Sequence, residues 1–537
     1  MVKMAEERKS LLYKLKPLTD RLPAVRKPEG HVHFRTKMMW IILILVLYFT
    51  MTNVMIYGLD STKNLDLFAQ YRAILAGAQF SLMHLGIGPI VTGSIIMQLF
   101  TGAKIIRLDL KDSDDKAMYQ GTQKFLVIIM IIVEAAPQVF GFMEPSSKFV
   151  AGMTGVIPGL DGSGAAKLLI ILQLFAGSYL VFLMDEVVSK WGIGSGISLF
   201  IAAGVSQSIF TGSLNWNAIN TATDMSTSNP PVGTIPKVIY LWTHYSSGQL
   251  SGGGYEHMFL QNPNPLVALL GTIAIFFFVT YAESSRIELP LAHGGARGAR
   301  GRYPIKLIYA SNIPVILMAA LLANVSMFSM LFWQHPSFMN WPILGHNWQL
   351  GFYADNTGGG QLKVAGGLAY YLSNINGVGE WLLPLLSDQY LNANSVLVNG
   401  VPLIHDRIQI IVHVFTFVGV MVIGSVLFAK FWIETTNMGP EAVASQIESS
   451  GMQIPGFRRD PRVLRRVLER YIPVVTVISG ATVGALASGA DLIGTVGNAS
   501  GTGVLLTVGI MINLYEAIGR EQMMEMHPVL RGFFGGE

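Results

Sequence analysis

Long apolar stretches, broken by polar segments, recur from one end of the chain to the other. A helix that crosses a membrane needs roughly 20 predominantly apolar residues. Ten windows qualify or nearly so, at about 39–58, 85–103, 125–143, 168–184, 193–212, 265–281, 307–333, 408–429, 472–490 and 501–515. The last is short, and 193–212 is rich in glycine. Two windows open on residues that weaken helices. LGIGPIVTGSIIMQLFTGAK (Leu85–Lys104) begins with Gly86, Gly88 and Pro89, and GIGSGISLFIAAG (Gly192–Gly204) begins with Gly192, Gly194 and Gly196.

Composition agrees with the pattern. The 537 residues are 51% hydrophobic and 13% charged, with a mean hydropathy of +0.46. This excludes an ordinary soluble domain and points to a polytopic membrane protein. No cleavable signal peptide is visible, because the first 38 residues are polar and basic and the first window lacks a small-residue cleavage site. Cysteine is absent, so neither a disulfide frame nor a cysteine metal site is possible.

The placement of charge orients the spans. Residues 1–39 carry ten Lys or Arg, 104–124 five, 283–306 five and 430–471 seven. Segment 213–264 holds only Lys237, and 334–405 only Lys363. Ten spans put the basic segments on one side and the two cation-poor ones on the other. The positive-inside rule makes the basic side cytoplasmic, with both termini there.

Ten spans divide into two sets of five around 213–264. An odd number per half means that the second half enters the membrane in the opposite sense, as in an inverted repeat. No sequence similarity between the halves is evident. The expected organisation is a basic tail over 1–38, an N-terminal half over 39–212, the external segment 213–264, a C-terminal half over 265–515 and a cytoplasmic tail over 516–537. In the tail, Leu11, Leu15, Leu18 and Leu22 share one helical face, which suits a helix lying on the inner membrane surface although Pro17 interrupts it. The external segments, rich in Gly, Asn, Ser and Trp, read as ordered or semi-ordered loops.

Candidate chemistry is sparse. Glu134 is the one carboxylate inside the ten windows, and no Lys or Arg lies in their interiors. That is thin provision for an ion-coupled transporter, which uses intramembrane charge. H-E-x-x-H, P-loop and nucleophile-elbow motifs are missing, and GLDGSGAAK (Gly159–Lys167) lacks phosphate-loop spacing and reads as a loop. Two cytoplasmic segments, AHGGARGARGRYPIK (Ala292–Lys306) and PGFRRDPRVLRRVLER (Pro455–Arg470), are dense in arginine. Arginine forks suit phosphate or carboxylate surfaces, so these segments are candidate docking sites for RNA or protein.

LGIGPIVTGSIIMQL, GIGSGISLFIAAGVSQ, RGRYPIKLIYASNIPVIL and GTGVLLTVGIMINLYE, in this order, resemble the SecY family of protein-translocation channels in its archaeal form. The resemblance covers nearly the whole chain, departing from the family in larger external segments. It implies an all-α polytopic membrane protein, with ten transmembrane helices in two inverted five-helix halves around a central hourglass pore. It also implies an apolar ring of Ile87, Val91, Ile197, Ile201, Ile316 and Leu506, and a lateral-gate polar cluster of Thr92, Glu134 and Asn312. A plug over about 62–84 would block the external side. Glycines at the two odd helix starts then let backbone break or tilt inside protein-enclosed space. Implied partners are a SecE-type subunit, a small single-span beta-type subunit, the lipid bilayer, and a ribosome with its nascent chain and signal sequence. Arg297, Arg300, Arg302, Arg458 and Arg459 would meet the ribosome. Neither cofactor, metal, DNA nor enzyme activity is expected. The alternative is a small-solute secondary transporter.

Overall fold

A computed structural model describes residues 16–19, 21–60, 75–102, 105–106, 108, 112–141, 143–220, 223–293, 300–308, 312–334, 349–356, 362–398, 401–436, 438–449, 452–453 and 461–526. Ten long helices follow one another: α1 (Phe34–Asn53), α2 (Gly88–Gly102), α3 (Ser113–Gly141), α4 (Gly162–Trp191), α5 (Gly196–Leu214), α6 (Leu266–Ser284), α7 (Ile313–Gln334), α8 (Arg407–Thr435), α9 (Pro461–Ile493) and α10 (Gly501–Met526). Among the described residues, nine of these are long and apolar enough to cross a membrane. The exception is α2, with 15 residues, or about 22 Å of helix against a hydrocarbon core of about 30 Å.

The shortness of α2 has a local cause. Gly86 has φ +54°, and a Cβ there would lie 2.1 Å from the Leu75 carbonyl oxygen, so only glycine fits. The helix starts two residues later, at Gly88. The irregular backbone before it is buried in protein: Ile87 N–H donates to Leu75 O at 2.8 Å, Tyr48 Oη donates to Ala76 O at 3.2 Å, and Met83 and Leu85 are buried. Non-helical chain at membrane depth is tolerated only in such a setting. Helical structure expected from residue 85 therefore begins at 88. Residues 61–74, most of the expected plug, lie outside the described residues.

Helix packing uses small residues. Cβ atoms added at Gly480 and Gly484 of α9 would lie 2.7 Å from Val426 Cα and 2.8 Å from Met421 O of α8, so the two backbones are in direct contact. Spans packed through small residues rely on this close approach, because lipid provides no hydrophobic drive. The Gly159–Lys167 segment runs into the start of α4, where the Asp161 side chain accepts from Gly164 N–H at 3.1 Å. It is a helix cap.

Among the described residues, two small sheets lie in the connections. On the basic side, β1 (Arg286–His293), β2 (Arg300–Lys306) and β7 (Met452–Gln453) form an antiparallel sheet in the order β2-β1-β7. Between α7 and α8, β3 (Phe352–Asn356), β4 (Leu362–Gly366), β5 (Val396–Val398) and β6 (Val401–Leu403) form a second, in the order β4-β3-β5-β6. The segment between α5 and α6 carries a helix over Thr234–His244 and a short one over Tyr255–Phe259. Its Glu256 accepts a hydrogen bond from Tyr390 Oη, which joins the two cation-poor segments.

At the N-terminus the expected surface helix falls mainly outside the described residues; within them, Lys16–Thr19 is helical. The chain then runs extended along α4. Glu186 Oε2 accepts from Val25 N–H at 2.8 Å, Lys190 Nζ donates to Val25 O at 2.6 Å, and Trp191 Nε1 donates to Arg26 O at 2.9 Å.

Candidate functional site

Four helices and one turn bring the apolar candidates into the same core. Ile87 lies in the turn before α2 and Val91 one turn inside it, while Ile197 and Ile201 lie four apart on α5 and share a face. Ile316 stands on α7 and Leu506 on α10. Ile87, Val91, Ile201, Ile316 and Leu506 are buried members of one contiguous apolar cluster, and Ile197, half-buried, packs against it. Side chains at these positions offer no hydrogen-bonding groups, so a constriction built from them excludes water and ions by dewetting.

Beside that cluster, polar groups of α2, α3 and α7 meet. Thr92 Oγ1 of α2 donates to Glu134 Oε1 of α3 at 2.8 Å and accepts from Asn324 Nδ2 of α7 at 2.9 Å. Glu134 is buried. A Cβ on Gly88 would stand 3.0 Å from Glu134 Oε2, so the glycine makes room for the carboxyl. Gln138, one turn after Glu134, accepts from His84 Nε2 at 3.0 Å; the His84 Nδ1 accepts from Phe80 N–H at 3.1 Å, which fixes the ring tautomer. A cavity of about 40 Å³, enough for a water molecule, is lined by His84, Gly88, Glu134, Gln138 and Asn324.

Thr92 and Glu134 thus come together as expected, but Asn312 does not join them. It sits just before α7, twelve residues from Asn324, or about 18 Å along the axis. Its Nδ2 donates to Glu283 Oε1 at the end of α6, 2.9 Å away. The pair is packed against α10, where a Cβ on Gly509 would lie 1.8 Å from Asn312 Nδ2. The third polar group of the α2–α3–α7 contact is Asn324. It was legible as the one other amide in window 307–333. Gln138 was legible as the polar residue one turn from Glu134. His84 carried no comparable signal, since its place depends on the fold of the 75–87 turn.

The arginine-rich segments also meet. Ala292 and His293 of β1 pair with Gln453 and Met452 of β7, so the connections α6–α7 and α8–α9 share one sheet. Arg300 and Arg302 lie on β2, opposite Ala292 and Pro290. Arg297, Arg458 and Arg459 lie outside the described residues.

Residues 81–515 match the family model described as SecY, and residues 46–79 match that described as the plug domain of Sec61p. The protein translocase subunit SecY of Halobacterium salinarum is 44% identical over 530 residues, covering 97% of this chain and 98% of that one. A solved structure described as that of a protein conducting channel is 37% identical with a TM-score of 0.69, covering 96% of this chain and 98% of that one. Another, of Sec61 in the canine ribosome-channel complex from the endoplasmic reticulum, is also 37% identical, with a TM-score of 0.67 and the same coverage. An alignment that spans nearly all of both chains, on a fold of ten helices with a three-helix polar contact, leaves one assignment: the chain belongs to the SecY family.

Proposed function

We propose that this chain is the pore subunit of a protein-conducting channel in the cell membrane, with both termini cytoplasmic. It passes unfolded secretory polypeptides outward and releases apolar segments sideways into lipid, without catalytic chemistry of its own. The observation that carries this reading is the α2–α3–α7 polar contact beside the buried apolar cluster, in a chain matching SecY end to end.

The mechanism follows from the side chains. Ile87, Val91, Ile197, Ile201, Ile316 and Leu506 form the seal. Branched apolar groups close around any passing side chain because they require no partner of their own. Thr92, Glu134 and Asn324 hold the lateral gate shut. Interhelical hydrogen bonds of this kind contribute about 0.6–1.7 kcal/mol in a membrane, small enough to be outweighed when the apolar helix of a signal sequence inserts between α2, α3 and α7. A SecE-type subunit and a small single-span beta-type subunit complete the channel. A ribosome docks on the two basic connections, where Arg297, Arg300, Arg302, Arg458 and Arg459 meet phosphate. The relatives favour this channel over a small-solute transporter.

The absence of cysteine makes the test direct. A single cysteine is placed at Ile197 or Ile201, with Phe277, an exposed residue of α6, as the lipid-facing control. Each variant is probed for crosslinks to a secretory chain stalled midway. Crosslinks at 197 and 201 but not at 277 are expected. A properly targeted chain that never crosslinks at either ring position would overturn the reading.

A further inference from the structure

The two halves share a short pattern that the spans themselves conceal. Near the end of α4, Asp185 is followed by Ser195, Gly196 and the start of α5; near the end of α9, Asp491 is followed by Ser500, Gly501 and the start of α10. Asp185 Oδ1 accepts from Ile197 N–H at 2.9 Å. Asp491 Oδ1 accepts from Thr502 N–H at 3.1 Å, and its Oδ2 accepts from Thr502 Oγ1 at 2.7 Å. The amide bonded is in each case that of the residue after the glycine.

The glycines are required by this contact. A Cβ on Gly196 would lie 2.6 Å from Asp185 Cα, and one on Gly501 would lie 2.1 Å from the Ala490 carbonyl carbon. Counting on five residues from each glycine reaches Ile201 and Leu506, both fully buried. The α4–α5 turn is cytoplasmic and the α9–α10 turn external, so the same device stands once at each face of the channel, as an inverted repeat demands.

We propose that Asp185 and Asp491 are paired positioning residues of the channel, each pinning the first turn of a pore-lining helix so that Ile201 and Leu506 hold the seal. This rests on the assignment of the apolar ring above. A helix N-terminus has unpaired N–H groups and a partial positive charge. A carboxylate held by the preceding span satisfies both and ties the helix to its neighbour. The ring residue stands about 7.5 Å along the axis from the pinned glycine, so freedom in the first turn reaches the seal directly. The external latch is the stronger: Asp491 takes a hydroxyl as well as an amide, and Ser500 Oγ accepts from Gly503 N–H at 3.0 Å.

The test uses the full chain with its partner subunits in sealed vesicles, reading small-anion leak from the resting channel together with the thermal unfolding midpoint. Asp185→Ala and Asp491→Ala are each expected to raise leak by about tenfold, the population change that accompanies loss of one charge-assisted hydrogen bond. Asp185→Asn keeps an acceptor for Ile197 N–H and is expected to restore the seal. Should an alanine variant fail to accumulate, Thr502→Pro removes both Thr502 donors to Asp491 while leaving a first turn that tolerates proline, and it is expected to leak likewise. Ile201→Ser separates the two ideas. If it leaks while the latch variants stay sealed, the latch is overturned and the ring stands. If it too stays sealed, the ring reading fails and the latch falls with it. A lowered midpoint with no added leak in the aspartate variants also overturns the proposal.

Discussion

A buried polar side chain inside a span is settled by its nearest partner. Asn324 donates to Thr92 and Asn312 to Glu283, so removing each has a different consequence. Asn324→Leu and Glu134→Leu are expected to relax the gate, raising translocation of a secretory chain with a shortened signal sequence by roughly three- to twentyfold, as loss of one intramembrane hydrogen bond implies. Asn312→Leu should leave that selectivity near wild type and lower thermal stability instead, because it strands the Glu283 carboxyl. Equal relaxation by Asn312→Leu and Asn324→Leu would sink the distinction. Lys237, fully buried, donates from Nζ to Gln261 O at 2.7 Å and Pro263 O at 2.9 Å. Lys237→Met leaves both carbonyls unpaired and should cost about 1–3 kcal/mol, read from unfolding of segment 213–264. Burial lowers the Lys237 ammonium from its ordinary 10.5 to about 8. Between those values the unfolded chain holds a proton that the folded one has released, so folding stability rises with pH across the window. The gap between wild type and Lys237→Met should therefore widen from pH 8 to pH 10; a gap that narrows would count against the assignment.

Some helices of this protein meet where a glycine lets backbones touch. α8 and α9 show it most strongly, through Gly480 and Gly484. Gly484→Val would push a side chain into Met421 O and Val422 Cα, 2.8 and 2.9 Å from where its Cβ must stand. The expected loss is about 1–3 kcal/mol or more, since neither neighbour is a flexible side-chain end. Gly489 on the same helix has nothing within 4 Å of its Cβ position, so Gly489→Ala should be neutral or slightly stabilising. Unfolding midpoints of the two variants in one detergent decide the matter: similar values would mean that α8 and α9 are not held by this contact. Most of the ten helices were readable from hydropathy alone. The start of α2 was not, because Gly86 is excluded from the helix by the distant Leu75 carbonyl, which no local pattern announces.

For the whole molecule, the basic face is organised by the shared sheet and by α10. Glu516 of α10 pairs with Arg286 at 3.1 Å and Lys306 at 3.0 Å, and Glu521 pairs with Lys37 of α1 at 2.8 Å, so the last span ties both halves on this side. These pairs are partly exposed and individually worth little. Together they orient the surface on which the proposed ribosome contact lies. If Arg300 and Arg302 each meet a phosphate, the Arg300→Gln/Arg302→Gln double variant should reduce the slope of log affinity against log salt by roughly one to two. Binding whose salt slope is unchanged would place the contact elsewhere on that face.

The linear sequence by itself determined the number of spans and the basic segments between them, since burial in lipid and charge placement act on each segment through its own composition. It also determined the family, because long motifs in a given order survive without knowledge of contacts. Tertiary structure decided which polar groups meet. Choosing Asn324 over Asn312 depends on the height at which α7 passes α2, and the meeting of the two arginine-rich connections depends on a strand pairing across 160 residues of chain. The match between Asp185 and Asp491 was present in the letters yet carried no meaning there. It became one only when each carboxylate was found on the amide of a helix start, because a hydrogen bond depends on distance in space and not on separation along the chain.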